Sequence, residues 1–115
     1  MSEAKRIRAA FYCAASGTEP ARDWLLDLPD EDRRIIGYDI ATAEFGWPIG
    51  MPTCRSMGQG LYEIRSNLPG NWISRVFFCA ADGHMVLLHG MIKETQTTPK
   101  ADLDLARKRM KEVSP

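Results

Sequence analysis

Four side chains able to bind or move charge fall in three consecutive, mostly apolar segments. Arg65 lies in "LYEIRS", Arg75 in "WISRVFFCA", and His89 and Lys93 in "MVLLHGMIK". A guanidinium grips oxyanions with two donors and stays charged at any working pH, while histidine is the side-chain type that titrates near neutrality. Brought together, Arg65, Arg75, His89 and Lys93 make an anion site with a titratable group in it. The same residues equally suit the wet face of a sheet, with Glu63 pairing to Arg65 or across to a neighbouring strand.

Which reading holds depends on the strands that carry them. Side chains alternate along a strand, so Glu63 and Arg65 share a face, as do Ile73, Arg75, Phe77 and Cys79, and likewise Met85, Leu87, His89, Met91 and Lys93. A five-residue loop over Asn67–Asn71 sets Arg65 and Arg75 on one face, whereas two-residue turns at Pro69-Gly70 and Asp82-Gly83 set them on opposite faces. Alternation alone is compatible with both.

The turn signals "NLPGN" and "ADG" separate three strands, Leu61–Ser66, Trp72–Ala80 and Met85–Ile92, into an antiparallel meander. Ahead of it "RIRAAFYC", Arg6–Cys13, reads as a first strand. Two helices follow. The first is capped by Thr18, has Pro20 in its first turn, and carries the stripe Ala21, Trp24, Leu25, Leu28. The second starts at Pro29, with Asp30, Glu31 and Asp32 at the positive end of its dipole and an apolar stripe through Ile36, Ile40, Ala43 and Trp47. The Gly- and Pro-dense "GWPIGMPTC" reads as a loop. A last helix has Thr98 as cap, Pro99 as first residue, and Leu103, Ala106, Met110 and Val113 at helical spacing. The order β, α, α, β, β, β, α predicts an α+β fold, with one sheet face on the helices and the other solvated or holding a site.

The chain has 115 residues, 44% of them hydrophobic, which suffices for one core and one domain spanning 1–115. Its formal net charge is zero, so nothing in bulk charge suits a protein that coats nucleic acid. The charge is uneven. Between Gly17 and Gly46 stand Glu19, Asp23, Asp27, Asp30, Glu31, Asp32, Asp39 and Glu44 against Arg22, Arg33 and Arg34, leaving the remainder basic. Cys13, Cys54 and Cys79 are odd in number and widely spaced, which suggests neither a disulfide framework nor a zinc site and fits a reducing cytoplasm. No metal or cofactor is expected. No apolar run of signal length follows Lys5, Arg6 and Arg8, and none approaches a membrane span, so a cytoplasmic location with no membrane partner is expected.

"GLYEIRSN", then "SRVFF", then "MVLLHGMIKETQTTPKADLDLARKRMKE" resembles, as an ordered set, the RelE/ParE superfamily of type II toxin–antitoxin toxins, especially its HigB-like and phage-derived branches. The resemblance runs from about the second predicted helix to the end of the chain. It implies a single RelE-like domain and a ribosome-dependent mRNA endoribonuclease that inhibits translation, in which the 2′-hydroxyl attacks the adjacent phosphate and basic side chains stabilise the developing charge. By motif match it implies Arg75 as the transition-state arginine, Arg65 as a second basic group and Lys93 as the basic residue after the last strand. It further implies Arg55 as the basic residue of a preceding loop and Lys100 as a further RNA contact; His89, of a side-chain type whose ordinary pKa lies near neutrality, is the candidate acid or base. The arginines would then face an open concave surface, so Arg75 is expected to be replaceable without unfolding the chain. Some active relatives have a tyrosine near the C-terminus; here the tyrosines are Tyr12, Tyr38 and Tyr62. The implied partners are a helix-turn-helix antitoxin, the ribosome and mRNA. Two other activities fit this architecture: a ParE-type gyrase poison, and a phage-derived binding or regulatory protein without catalysis.

Overall fold

A computed structural model describes residues 4–48, 54–94 and 97–113. The elements are β1 (Arg8–Phe11), α1 (Pro20–Leu26), α2 (Asp30–Gly46), β2 (Cys54–Gly58), β3 (Leu61–Leu68), β4 (Trp72–Ala81), β5 (His84–Lys93) and α3 (Lys100–Val113). They form the expected single α+β domain around one five-stranded sheet of order β1-β5-β4-β3-β2. The meander β3-β4-β5 is antiparallel, and β1 adds to its far edge parallel to β5, Ala9 opposite Met85. A parallel neighbour needs a crossover; here α1, α2 and the first part of the meander intervene. None of the helices in the described residues is long and apolar enough to cross a membrane.

The predicted stripes do the packing. Ala21, Ile36, Ile40 and Ala43 bury against Ile64, Leu68, Val76, Phe78, Met85 and Leu87 on one sheet face. The C-terminal stripe takes the other: Leu103, Ala106, Met110 and Val113 cluster with Tyr12, Leu61, Phe77, Leu88 and Met91. Both faces are therefore covered, in contrast to the one-sided arrangement expected. An apolar helical stripe must find a partner surface, and α1 and α2 already occupy the first face.

Four local expectations are corrected. Cys54–Gly58 is a strand, paired antiparallel to β3 with Arg55 opposite Glu63, so Arg55 lies on an edge strand and not in a loop. Gly46 of the predicted loop ends α2 with Trp47 as its C-cap, and 49–53 lie outside the described residues. Thr18 caps nothing: its hydroxyl meets that of Ser16, and Glu19 occupies the position before α1. Pro29 precedes α2 and does not belong to it. On β5 the register slips between Phe77 and Phe78, where Phe77 faces His89 and Phe78 faces Leu87. The extra residue, Leu88, breaks the alternation. Met85 and Leu87 therefore point to the α1/α2 side, while His89, Met91 and Lys93 stay with Arg75.

Candidate functional site

Leu68 pairs with Trp72 across the three-residue turn Pro69–Asn71, an odd count that sets Arg65 directly opposite Arg75. Partnered residues point to the same side of a sheet, so the α3 face is a lattice of three rows. The first runs Arg55, Glu63, Phe77, His89 across β2, β3, β4 and β5. The second is Arg65, Arg75, Met91, and the third Asn67, Ile73, Lys93.

At the crossing of the first two rows sits Glu63, wholly buried. Its Oε2 lies 3.6 Å from Arg75 Nε, and its Oε1 lies 3.5 Å from Arg65 Nη2 and 4.0 Å from Arg55 Nε. Thr98, just ahead of α3, donates its hydroxyl to Oε2 at 2.9 Å. The expected helix-capping threonine thus ties the start of α3 to the site. Three guanidiniums against one carboxylate leave the cluster positive, and their exposure is graded: Arg75 0%, Arg65 27%, Arg55 58%. An oxyanion arriving from solvent meets Arg55 and Arg65 first.

Arg75 is where the expectation of an open arginine pair fails. It lies on the face of Arg65, the one against which α3 packs, but is fully covered. Burial lowers the Arg75 pKa from its ordinary range. Glu63 pulls it back up, while Arg65 and Arg55 press it down further. A guanidinium starts so high that it remains charged at working pH. A buried carboxylate, and not an open phosphate cleft, therefore faces this arginine inside the sheet.

His89 stacks its ring on Phe77, centroids 6.1 Å apart and planes at 8°, and its Nε2 is 2.7 Å from Asp102 Oδ1 of α3. A carboxylate at Nε2 holds a proton on that nitrogen, which leaves Nδ1 as the acceptor of the neutral ring. Lys93, exposed at the end of β5, lies in the third row. Lys100 is exposed at the start of α3 and binds Asp104 at 2.8 Å, a contact that raises its pKa. That partner is on its own helix and outside the Glu63 cluster.

α3 is held over this face by polar ties as well as by its stripe. Arg109 donates to the Leu88 carbonyl at 2.8 Å, in the β5 bulge, and lies over the Tyr12 ring. Arg107 donates to the Met57 carbonyl of β2 at 2.8 Å. Buried Tyr12 donates to Glu112 at 3.0 Å. The sequence marks the basic residues of the site and a pairing of Glu63 with Arg65 or across strands, which Arg75 and Arg55 fulfil, but assigns no site role to Asp102 or Thr98. The one signal pointing to Glu63 was its spacing of two from Arg65.

The family model described as Phage derived protein Gp49-like (DUF891) matches residues 23–111, from α1 to nearly the end of α3. The match takes in the whole sheet face described above except β1. A search of curated proteins returned no match.

Proposed function

The chain belongs to the phage-derived Gp49-like family, a RelE/ParE-like toxin type, and from that premise we propose that it is the toxin of a type II toxin–antitoxin module acting as a HigB-like, ribosome-dependent mRNA endoribonuclease. One observation supports the nuclease reading above the others: an electropositive cluster of three guanidiniums around Glu63, with His89, its tautomer held by a carboxylate, two strands along the same row. Cleavage by 2′-hydroxyl attack needs a group to take the hydroxyl proton and positive charge to stabilise the phosphorane. His89 Nδ1 is the acceptor available for the first task. Arg65 and Arg55, the two solvent-reaching guanidiniums, take the second, with Lys93 holding a flanking phosphate.

Arg75 is assigned a different part from the one its motif implies. Fully covered, it acts through Glu63: it fixes the carboxylate that in turn aims Arg65 and Arg55, and its charge adds to the field at the phosphate. The proposed partners are the ribosome with its mRNA and an antitoxin that silences the toxin by covering this face.

The test is a reconstituted translation reaction. The purified chain is expected to truncate mRNA, and Arg65→Ala to lower the cleavage rate by about 10²-fold. Arg65→Lys should recover part of it, since an ammonium lacks the two-donor fork. Intact mRNA with trapped cleaved DNA in a gyrase reaction would overturn the nuclease reading in favour of a gyrase poison. Full activity in Arg65→Ala would overturn the role of the cluster.

A further inference from the structure

The Thr98-Pro99 pair makes a contact that the nuclease reading leaves without a task. Both residues stand just ahead of α3, whose Leu103 N–H bonds back to the Pro99 carbonyl. A residue before proline is pushed into extended backbone, so Thr98 stays outside the helix. Its hydroxyl crosses to the sheet and donates to Glu63 Oε2 at 2.9 Å. Four residues on, in the first turn of α3, Asp102 meets His89 Nε2 at 2.7 Å.

The two side chains held in this way belong to one row. Glu63 on β3 pairs with Phe77 on β4, and Phe77 with His89 on β5. Two strand spacings, about 10 Å, separate Glu63 from His89. Phe77 fills the interval: it is fully buried, stacks on the His89 ring with planes at 8°, and clusters with Leu103 and Ala106 of α3. One short segment of chain therefore grips both ends of a row whose middle is packed solid.

We infer that Thr98 is a positioning residue: the start of α3 is a clamp that holds the Glu63 carboxylate, and through it Arg65 and Arg55, at a fixed separation from the His89 ring. The role rests on the nuclease reading above. Glu63 Oε1 faces Arg65 and Arg55, while Oε2 faces Arg75 and the Thr98 hydroxyl. The last torsion of a glutamate is broad, so its carboxylate plane is set by the donors around it. Thr98 holds the oxygen that the two solvent-reaching arginines do not. Without that hydroxyl the carboxylate turns, and Arg65 and Arg55 turn with it. Because Asp102 lies on the same segment, releasing Thr98 also loosens the contact to His89.

The test compares Thr98→Val, Thr98→Ser, Asp102→Asn and Tyr12→Phe in the full chain. Tyr12→Phe removes the other hydroxyl tie to α3, the 3.0 Å bond to Glu112 near the far end of the helix, and so reports what loosening α3 does by itself. In mRNA cleavage Thr98→Val and Asp102→Asn should each lower kcat about tenfold with KM within about twofold, because the reacting groups are present but misplaced. Thr98→Ser keeps a hydroxyl and should recover most of the rate, and Tyr12→Phe should cleave like the parent. Thr98→Val/Asp102→Asn should lose far less than the product of the single losses, since both release one clamp. Nitrogen NMR of isotope-labelled histidine near pH 8, where an ordinary imidazole is neutral, should show the Nε2–H tautomer of His89 in the parent, Thr98→Ser and Tyr12→Phe. Thr98→Val and Asp102→Asn should shift it toward a mixture of tautomers, with the His84 signals unchanged. If Thr98→Val does not fold by circular dichroism, Thr98→Ala replaces it in every comparison. A parental kcat in Thr98→Val, no recovery in Thr98→Ser, or an equal loss in Tyr12→Phe overturns the clamp. The two readings fail separately. A parent chain that leaves mRNA intact refutes the nuclease, and the His89 signals then decide the clamp: a shift in Thr98→Val keeps it, and parental signals refute it. A parent and a Thr98→Val variant that cut mRNA alike and share their His89 signals refute the clamp and leave the nuclease standing.

Discussion

Removing Arg75 is expected to unfold much of what it would leave intact on an open face. Its Nε lies 3.6 Å from the Glu63 carboxylate, both side chains having no exposure. At that distance and an effective dielectric of about 20 the gross attraction is roughly 5 kcal/mol, and breaking one side of a buried pair typically costs about 3 to 5 kcal/mol. Arg65 and Arg55 still face Glu63 in Arg75→Ala, so the lower end applies, about 3 kcal/mol, or a fall in melting temperature of roughly 10 to 20 °C for a domain of this size. Glu63→Gln should cost more, roughly 5 kcal/mol, because it leaves three guanidiniums facing one another around a neutral amide. The pair Glu63→Gln/Arg75→Met removes both charges and keeps the volume, and should be less destabilised than the sum of Glu63→Gln and Arg75→Met by about 2 kcal/mol or more. Urea unfolding followed by circular dichroism measures the parent and all four variants. If Arg75→Ala stays within about 1 kcal/mol of the parent, or the cycle is additive within about 0.5 kcal/mol, the buried carboxylate does not hold this arginine and the account of the cluster is wrong.

Gly90 lies directly beneath the Trp24 indole, whose ring atoms occupy the place a Cβ would take. Gly90→Ala should therefore cost about 1 to 3 kcal/mol by overpacking and alter the near-ultraviolet signal of Trp24; a neutral substitution would show that α1 does not seat there. His89→Gln loses the contact to Asp102 that ties α3 to the sheet, about 1 kcal/mol of stability, and a cleavage loss that changes across the neutral pH range would show proton transfer, whereas an unchanged rate leaves His89 as a tether alone. Burial pushes the Cys54 and Cys79 thiols up, so less reactive thiolate forms at a given pH, while Cys13 is exposed. Iodoacetamide near pH 8 should modify Cys13 first, Cys54 faster as pH rises, and Cys79 chiefly after unfolding; mass spectrometry showing Cys79 labelled alongside Cys13 in the folded chain would contradict its burial.

The amino-acid sequence by itself determined the elements whose signals are local. Apolar residues at helical spacing marked α1, α2 and α3, and turn residues between apolar runs marked the meander. It also determined which side chains carry charge into the sheet. It did not reveal β2, because "CRSMG" has neither β-branched residues nor alternation and is a strand only through its pairing with β3. It did not determine which face of β5 is which, since one bulged residue, Leu88, reverses the parity of everything before it. The joint facing of Arg65 and Arg75 came from the count of residues in a turn, where the even and odd counts both fit "NLPGN" and the fold takes the odd one, Pro69–Asn71. The burial of Arg75 was decided furthest from its own neighbourhood. Its strand reads the same whether that face is wet or covered, and the face is the one on which α3, beginning at Lys100, docks through Thr98, Asp102 and the stripe from Leu103 to Val113. Contacts between segments so distant in the chain leave no periodic mark on either one, so only the tertiary structure turns an arginine that resembles a phosphate ligand into the buried partner of Glu63.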